Sequence, residues 1–492
     1  MSNLDAARVA EELPPLPHRS RLQRLYASPV VQVFLISAIC FCTPGIFNAN
    51  SGVGGGGQVN PKTANDANVA LYACFAVVGF ASGSIINRIG ARLAFSIGAS
   101  GYALYMGSLL SYNINGNRGF VVAAGALLGV CAGLLWTAQG SLMLAYGTEQ
   151  TKGRLIALFW IVFNLGGALG SAIEVGLTWK STSNTVGNSV YIVFLVIAAC
   201  GSFLPLLLAT TMVRSDGTRV IPPVHPTWKK EVVGMWQLMR KEVILVFLLP
   251  LFFSSNFGYT WQQNSFNGAL FTLRTRSLNS FLFWSCQMVG AGIFGILIDL
   301  KRFRRKSRAW VALAVLLAFH CAVWGSGYHY QKDYYRTPDG ASVPRIDLRD
   351  AGYGGRAALY VFMGILDAIT QNYACGSRGR PLRGNNELIL TFADWLMGAI
   401  FNQPASLARL VGVYKAIQSA GAAGAFAMDS AETAYMSELA ATWAVCVAGL
   451  VFCIPVLIFR LKDHTDDELV VEVGSHDEIS STSEKKADEA EL

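Results

Sequence analysis

Apolar residues in this chain come in runs of about twenty, the length that crosses the roughly 30 Å hydrocarbon core of a bilayer as an α-helix. The runs predict spans at 29–48, 68–87, 92–112, 119–145, 154–177, 189–212, 243–262, 279–299, 309–327, 357–374 (continued by 392–401), 411–428 and 437–460. In lipid every backbone N–H and C=O must find a partner inside the segment, so these runs are expected to be helical. The expected fold class is therefore an all-α polytopic membrane protein, with twelve transmembrane helices in two six-helix halves.

The polar breaks between the runs alternate in charge. One set holds Arg19, Arg21 and Arg24; Arg88 and Arg92; Lys152 and Arg154; the basic residues of 214–241; those of 301–308; and Arg460 with Lys462. The short breaks of the other set hold single charges such as Lys62, Arg118 and Lys180. Excess Lys and Arg mark the cytoplasmic side, which places both termini there and requires an even number of spans. The loop 328–356 departs from the pattern, with Lys332, Arg336, Arg345, Arg349 and Arg356 mixed among aspartates; its length is the explanation offered. The division expected is a cytoplasmic tail (1–28), a first half (29–212), a central cytoplasmic loop (213–242), a second half (243–462) and an acidic tail (463–492) lacking aromatics and expected to be disordered.

Composition agrees with the pattern. Only 14% of the 492 residues are charged and 53% are hydrophobic, against about 25% charged in an ordinary soluble domain. The net charge of +8 is spread over loops rather than gathered on one face or arm, so it signals topology and not nucleic-acid binding. The ten cysteines have no CxxC or Cys/His spacing; all but Cys375 lie in apolar runs and are expected to be free thiols. No signal peptide precedes the first run, which is expected to act as a signal-anchor. No nucleophile elbow, paired catalytic carboxylates, metal cluster or nucleotide-binding motif occurs, so an enzyme is not expected and no cofactor is implied.

A weak internal repeat supports two halves. "GSIINRIGAR" (83–92) follows the second run and "GILIDLKRFR" (295–304) the eighth. Gly83 and Gly295 would let neighbouring helices approach. Asn87 and Asp299 could bond backbone groups at a helix end, and Arg88 and Arg92 stay at the basic face beside Gly90. These residues are the candidate gating loop; a generic basic loop is the plainer alternative. The pattern looks like the signature loop of the major facilitator superfamily, whose halves rock about a midplane site. Asn87 stands where an Asp is usual there, and Ala91 replaces a basic residue.

At the end of the first run, four glycines (54–57) follow Asn48 and Asn50. No Gly-Lys-Ser/Thr follows, so this is not a phosphate loop. Either a flexible loop or a gate with close backbone approach fits the residues. Taken together, "PGIFNANSGVGGGGQVNP", "NRIGAR", "FNLGGALGS", "RTRSLNSFLFW", "DAITQNYA", "DWLMGAI" and "YKAIQSAGAA" resemble a fungal member of the Unc-ninety-three-like family, a branch of the major facilitator superfamily. The resemblance spans about 29–462. It implies twelve helices and membrane residence but no particular substrate: fungal relatives are described as transporters, animal relatives as channel regulators or trafficking chaperones.

Polar residues inside spans are costly and mark candidate pathways. Asp367 and Gln371 are four apart and share a face, as do Lys415, Gln418 and Ser419; Asp367 with Lys415 suggests a buried ion pair, structural or functional. Asn48, Asn50, Asn164 and Gln262 are further candidates, with helix–helix bonding as their plainer role. Glu174 is expected to sit in an interfacial position near the end of the fifth run. One anomaly remains. Between Ala374 and Trp395 the family pattern has a single Tyr, whereas this chain has "CGSRGRPLRGNNELILTFAD". Residues 375–393 are read as a retained intron, with a genuine insertion as the alternative. The function expected is secondary transport of a small solute by alternating access, with Asp367 as the candidate for proton coupling. The alternative is a non-transporting regulator or trafficking adaptor of other membrane proteins.

Overall fold

The computed structural model describes residues 20–459 except 59, 147–151, 182, 210–211, 214–218, 221–228, 230–232, 235, 238–239, 241–242, 299–304, 339 and 375–403. The anomalous segment 375–393, Asp299, most of the central loop, residues 1–19 of the first tail and all of the acidic tail therefore lie outside the described residues.

After a short helix at Arg21–Tyr26, the chain runs through α1 (Pro29–Gly52), α2 (Pro61–Ile89), α3 (Ala91–Asn115), α4 (Arg118–Tyr146), α5 (Lys152–Thr178) and α6 (Asn188–Phe203). It continues through α7 (Leu249–Ser254), α8 (Leu273–Ile298), α9 (Arg305–Gln331), α10 (Tyr353–Ala374), α11 (Pro404–Ser430) and α12 (Tyr435–Phe452). Among the described residues, eight stretches are long and apolar enough to cross a membrane: those of α1 to α6, α9 and α12. The stretches expected at 243–262, 279–299, 357–374 and 411–428 are helical in whole or in part without meeting that measure.

Local chemistry explains the departures from straight helices. α1 widens into a π turn at Phe41–Gly45 around Pro44, which has no N–H to donate. Asn60 caps α2, accepting from the Lys62 N–H at 2.9 Å, with Pro61 at the first helical position. Gly90, at φ +81°, turns α2 into α3, a conformation that needs glycine. The run expected as one helix at 243–262 is a tight turn at Val243–Leu248, then α7 with Pro250 in its first turn, then a π segment at Trp261–Gly268. That last segment, WQQNSFNG, buries amides that bond across the bundle.

Two groups of helices have separate cores. Val33, Phe95, Tyr105, Phe159 and Phe194 centre the first, built from α1–α6. Leu251, Phe252, Leu316, Tyr414 and Leu450 centre one of two clusters among α7–α12. Since lipid is as apolar as leucine, close backbone approach rather than water exclusion holds such helices together. Gly125 and Gly129 of α4 admit the backbone of Ala67 and Leu71 of α2, and Gly421 of α11 sits against the carbonyl of Phe253. The groups meet mainly along α2 with α11 and α5 with α8.

Two loops differ from expectation. Gly55, Gly56 and Gly57 are buried, with φ +55°, +59° and +71°, so the glycine run is a packed cap and not a flexible loop. Residues 332–352 fold inward as a small hairpin (Arg336–Thr337 with Gly340–Ala341), and Ile346 bridges to Phe271. Two of its charges are paired: Arg336 with acidic groups of α11 and α12, and Asp347 with Arg274 of α8 at 2.7 and 2.5 Å, which keeps the Asp347 carboxyl well below the usual aspartate range. This folding turns Arg336 and Arg345 inward, while Lys332 and Arg349 stay exposed.

Candidate functional site

A cavity of about 130 Å³ lies between the two groups of helices. The first group contributes Asn48 of α1, Tyr72 of α2, Tyr102 of α3, Trp136 of α4, and Trp160, Phe163 and Asn164 of α5. The second contributes Asn256, Tyr259, Trp284 and Gln287, Gln371 of α10, and Lys415, Gln418 and Ser419 of α11. The walls are thus largely aromatic, and the polar groups are amides, hydroxyls and one charged side chain, Lys415. Hydrophobic walls with a few placed polar groups are the usual make-up of a small-molecule site.

Side-chain geometry revises part of the sequence expectation. Asp367 and Gln371 do share a face: the Gln371 amide donates to both Asp367 oxygens at 3.1 Å. Tyr259 Oη donates to Asp367 at 2.8 Å and Gln287 Nε2 at 2.7 Å. Asp367 stands one side chain behind the cavity wall and fixes three groups that form it. The ion pair with Lys415 is not among those of the described residues. Instead Lys415 Nζ donates to Gln418 Oε1 at 3.0 Å and lies 5.5 Å from the Trp136 ring centre and 5.1 Å from that of Tyr414. Gln418 also donates to Ser255, Asn256 and the Tyr414 hydroxyl at 2.8–3.1 Å. A carboxylate with three polar neighbours has no need to reach across to a cation already held by an amide and two rings.

Asn48 and Asn164 reach the cavity; Asn50 and Gln262 do not. Asn50 is buried beneath the glycine cap, and Gln262 is buried near Trp324 and Gly258. Of the basic-end candidates, Gly83 is buried, Asn87, Arg88 and Gly90 lie exposed at the α2–α3 turn, and Arg92 is half-buried. Gly295 lies within α8. Glu174, in the last turn of α5, is fully buried against α8. Sequence reasoning passed over Tyr259, Gln287 and Trp136. Gln287, the sole amide within the apolar stretch 281–298, was the available signal.

A polar network closes the end of the cavity that carries the glycine cap. Arg336 Nη2 contacts Asp429 Oδ1 at 2.5 Å and Glu438 Oε1 at 2.8 Å, Nε donates to the Thr433 carbonyl at 2.9 Å, and the guanidinium lies 4.2 Å from the Tyr435 ring centre. Asp429 also accepts from Asn65 of α2 at 2.6 Å and Asn264 of the π segment at 2.7 Å. Asn264 in turn accepts from the Gly55 N–H at 2.7 Å, and Asn267 donates to the Gly52 carbonyl at 2.8 Å. Lys62 reaches the Ser430 carbonyl, and Ser430 reaches Asp66. Burial alone would lower the Arg336 pKa, but Asp429 and Glu438 more than offset it and hold it above the ordinary arginine value. The network joins residues of the first group to residues of the second, so the two groups cannot part at this end while it stands. Among the described residues no set of three His, Cys, Asp or Glu side chains could hold a metal ion.

A helical bundle around a shared central cavity, bolted at one end, is the major facilitator class of architecture. The xylose transporter XylE of E. coli, in a partially occluded inward-open conformation, matches 90% of this chain and 100% of its own with a TM-score of 0.57 and 12% identity; at that identity the likeness is one of fold. Within the class the chain belongs to the UNC-93 family: the family model described as ion channel regulatory protein UNC-93 matches residues 56–323. An UNC93-like protein of Schizosaccharomyces pombe is 41% identical over 467 residues, 94% of this chain and 88% of the relative. UNC93-like protein 1 of Arabidopsis thaliana is 36% identical over 448 residues, 90% and 93% respectively.

Proposed function

We propose that this protein is a secondary transporter that moves a small solute across a membrane by alternating access. Residues 29–212 and 243–462 serve as its two six-helix halves, and both termini face the cytoplasm. The observation that carries the proposal is the central cavity, lined by side chains of both helix groups and sealed at one end by hydrogen bonds and ion pairs that can break. Alternating access needs such a seal at one mouth at a time. Lys415, Gln418, Gln371, Asn48 and Asn164 contact the solute, and Asp367 positions Tyr259, Gln287 and Gln371. The turn of Asn87, Arg88, Gly90 and Arg92 works as the gate of the opposite, cytoplasmic mouth.

The family's description as ion channel regulatory protein supports a second reading, a regulator of other membrane proteins that keeps the fold without transporting. A metabolite comparison of deletion and overexpression strains, with Asp367→Asn and Lys415→Gln as controls, separates the two. Transport predicts a solute whose distribution follows gene dose and is lost in both variants at normal protein level. Unchanged solute profiles with a mislocalised membrane partner in the deletion strain support the regulator.

A further inference from the structure

Glu174 lies in the last turn of α5 on the face turned to α8. Three and four residues away on that face, Ser171 meets Ser280 at 2.9 Å and Thr178 donates to Ser277 at 3.3 Å, so Glu174 is enclosed in the seam between the two helix groups. Its relative exposure is 0%, and neither carboxylate oxygen has a hydrogen-bond partner among the described residues. The charged side chain facing it is Arg276 of α8, and Tyr191 faces it from α6. Arg276 makes no ion pair with it; that guanidinium donates to the Asn184 carbonyl at 2.5 Å and the Gly268 carbonyl at 3.4 Å, with Arg345 nearby. Tyr191 gives its proton to the Gly56 carbonyl at 2.6 Å and accepts from Gln58 at 2.8 Å. A carboxylate taken from water and given no donor is among the costliest groups a protein can bury. A structural role would be served better by glutamine or leucine. Protonation removes the charge, and parting of the seam would return the group to water.

We propose that Glu174 is a proton-binding site, loaded while the glycine-cap end is closed and exchanging its proton with water when the α5–α8 seam parts at that end. Proton exchange is thereby coupled to the opening of one mouth, and the driving ion of the transporter is the proton, bound at Glu174 and not at Asp367. The difference between the two carboxyls is geometric: Asp367 has three side-chain donors and Glu174 none. This inference rests on the alternating-access reading, and the experiment keeps the two apart.

The full-length protein is reconstituted in lipid nanodiscs as wild type, Glu174→Gln, Glu174→Asp and Asp367→Asn. Infrared difference spectra taken across a pH titration read the C=O stretch of protonated carboxyls. Spin labels at exposed Asn115 of α3 and Ala431 after α11 read the width of the glycine-cap mouth. Expected are a protonated-carboxyl band that titrates in wild type and Asp367→Asn but is absent in Glu174→Gln, and a label distance that grows with pH in wild type and stays at its closed value in Glu174→Gln. A band or a pH-dependent distance that survives Glu174→Gln unchanged, or that vanishes in Asp367→Asn instead, overturns the proposal. If Glu174→Gln does not fold, Glu174→Asp decides: its band must shift in frequency or midpoint, and an unshifted band counts against Glu174. Labels that never part in wild type at any pH count against alternating access, while the band still decides whether Glu174 binds the proton.

Discussion

Arg336→Met tests the seal at the glycine-cap end. In the wild type one guanidinium serves two carboxylates; the side chains of Asp429 and Glu438 are 2% and 4% exposed and that of Arg336 19%. Removing one partner of a buried pair costs about 3–5 kcal/mol, because the other charge is left uncompensated. Asn65 and Asn264 still hold Asp429, and Ser265 still holds Glu438, so the lower end, about 3 kcal/mol, is the expectation. All of it falls on the closed arrangement, since opening lets water reach both carboxylates. At about 1.4 kcal/mol per factor of ten, the open population rises by roughly 100-fold. Hydrogen–deuterium exchange followed by mass spectrometry reads this without labels, because amide exchange tracks the population of local openings. Peptides covering the glycine cap (52–58) and the π segment (261–271) are expected to exchange roughly 100-fold faster in the variant. Arg21→Ala, at an exposed site, should leave them unchanged. Arg336→Lys should fall between, since an ammonium can stand in for Nη2 between the two carboxylates but has no second nitrogen for the Thr433 carbonyl. Wild-type exchange rates in both peptides of Arg336→Met would refute the assignment of the network as a seal.

Other perturbations test other parts of the argument. Gly54 has φ +83° and its Cα faces the Gln263 carbonyl, so Gly54→Ala should destabilise the cap by about 1–3 kcal/mol and lower the melting temperature. Gly421→Val puts a side chain into the Phe253 carbonyl and should lower thermal stability by at least about 1–3 kcal/mol, the cost of overpacking, with α7 and α11 forced apart; an unchanged melt refutes the close contact. Asp347 has its pKa depressed by Arg274, so its stabilisation is present above the unfolded aspartate value of about 4 and is lost as pH falls below it. Melting curves of Asp347→Asn should therefore lie below wild type at neutral pH and converge with it in acid. For residues 375–393, sequencing the transcript across codons 374–395 should show Ala374 joined through a Tyr codon to Trp395; a message that keeps all the codons removes the intron.

How much of this was legible in the chain follows from the range of the forces involved. Twenty-residue apolar runs determine that the protein lives in lipid and forms helices, because an unpaired backbone has nowhere to bond there. The spacing of Asp367 and Gln371, or of Lys415, Gln418 and Ser419, determines shared faces, since the helical period is local. The partner of each group is not local. Asn65 and Asp429 meet across 364 residues and Arg336 meets Asp429 across 93, with nothing in their neighbourhoods to announce it. The loop 328–356 violated the charge rule when read as a string, and its folding turns Arg336 and Asp347 toward partners the string does not show. Glu174 shows the same limit. Near the end of an apolar run it counts as interfacial, and whether water reaches it depends on α8, a hundred residues later in the chain. Sequence settled that the chain is helical and lives in the membrane, and which faces are polar. Tertiary packing decided which polar groups are paired, which are stranded and where the cavity closes, because those outcomes depend on helices brought together from both ends of the chain.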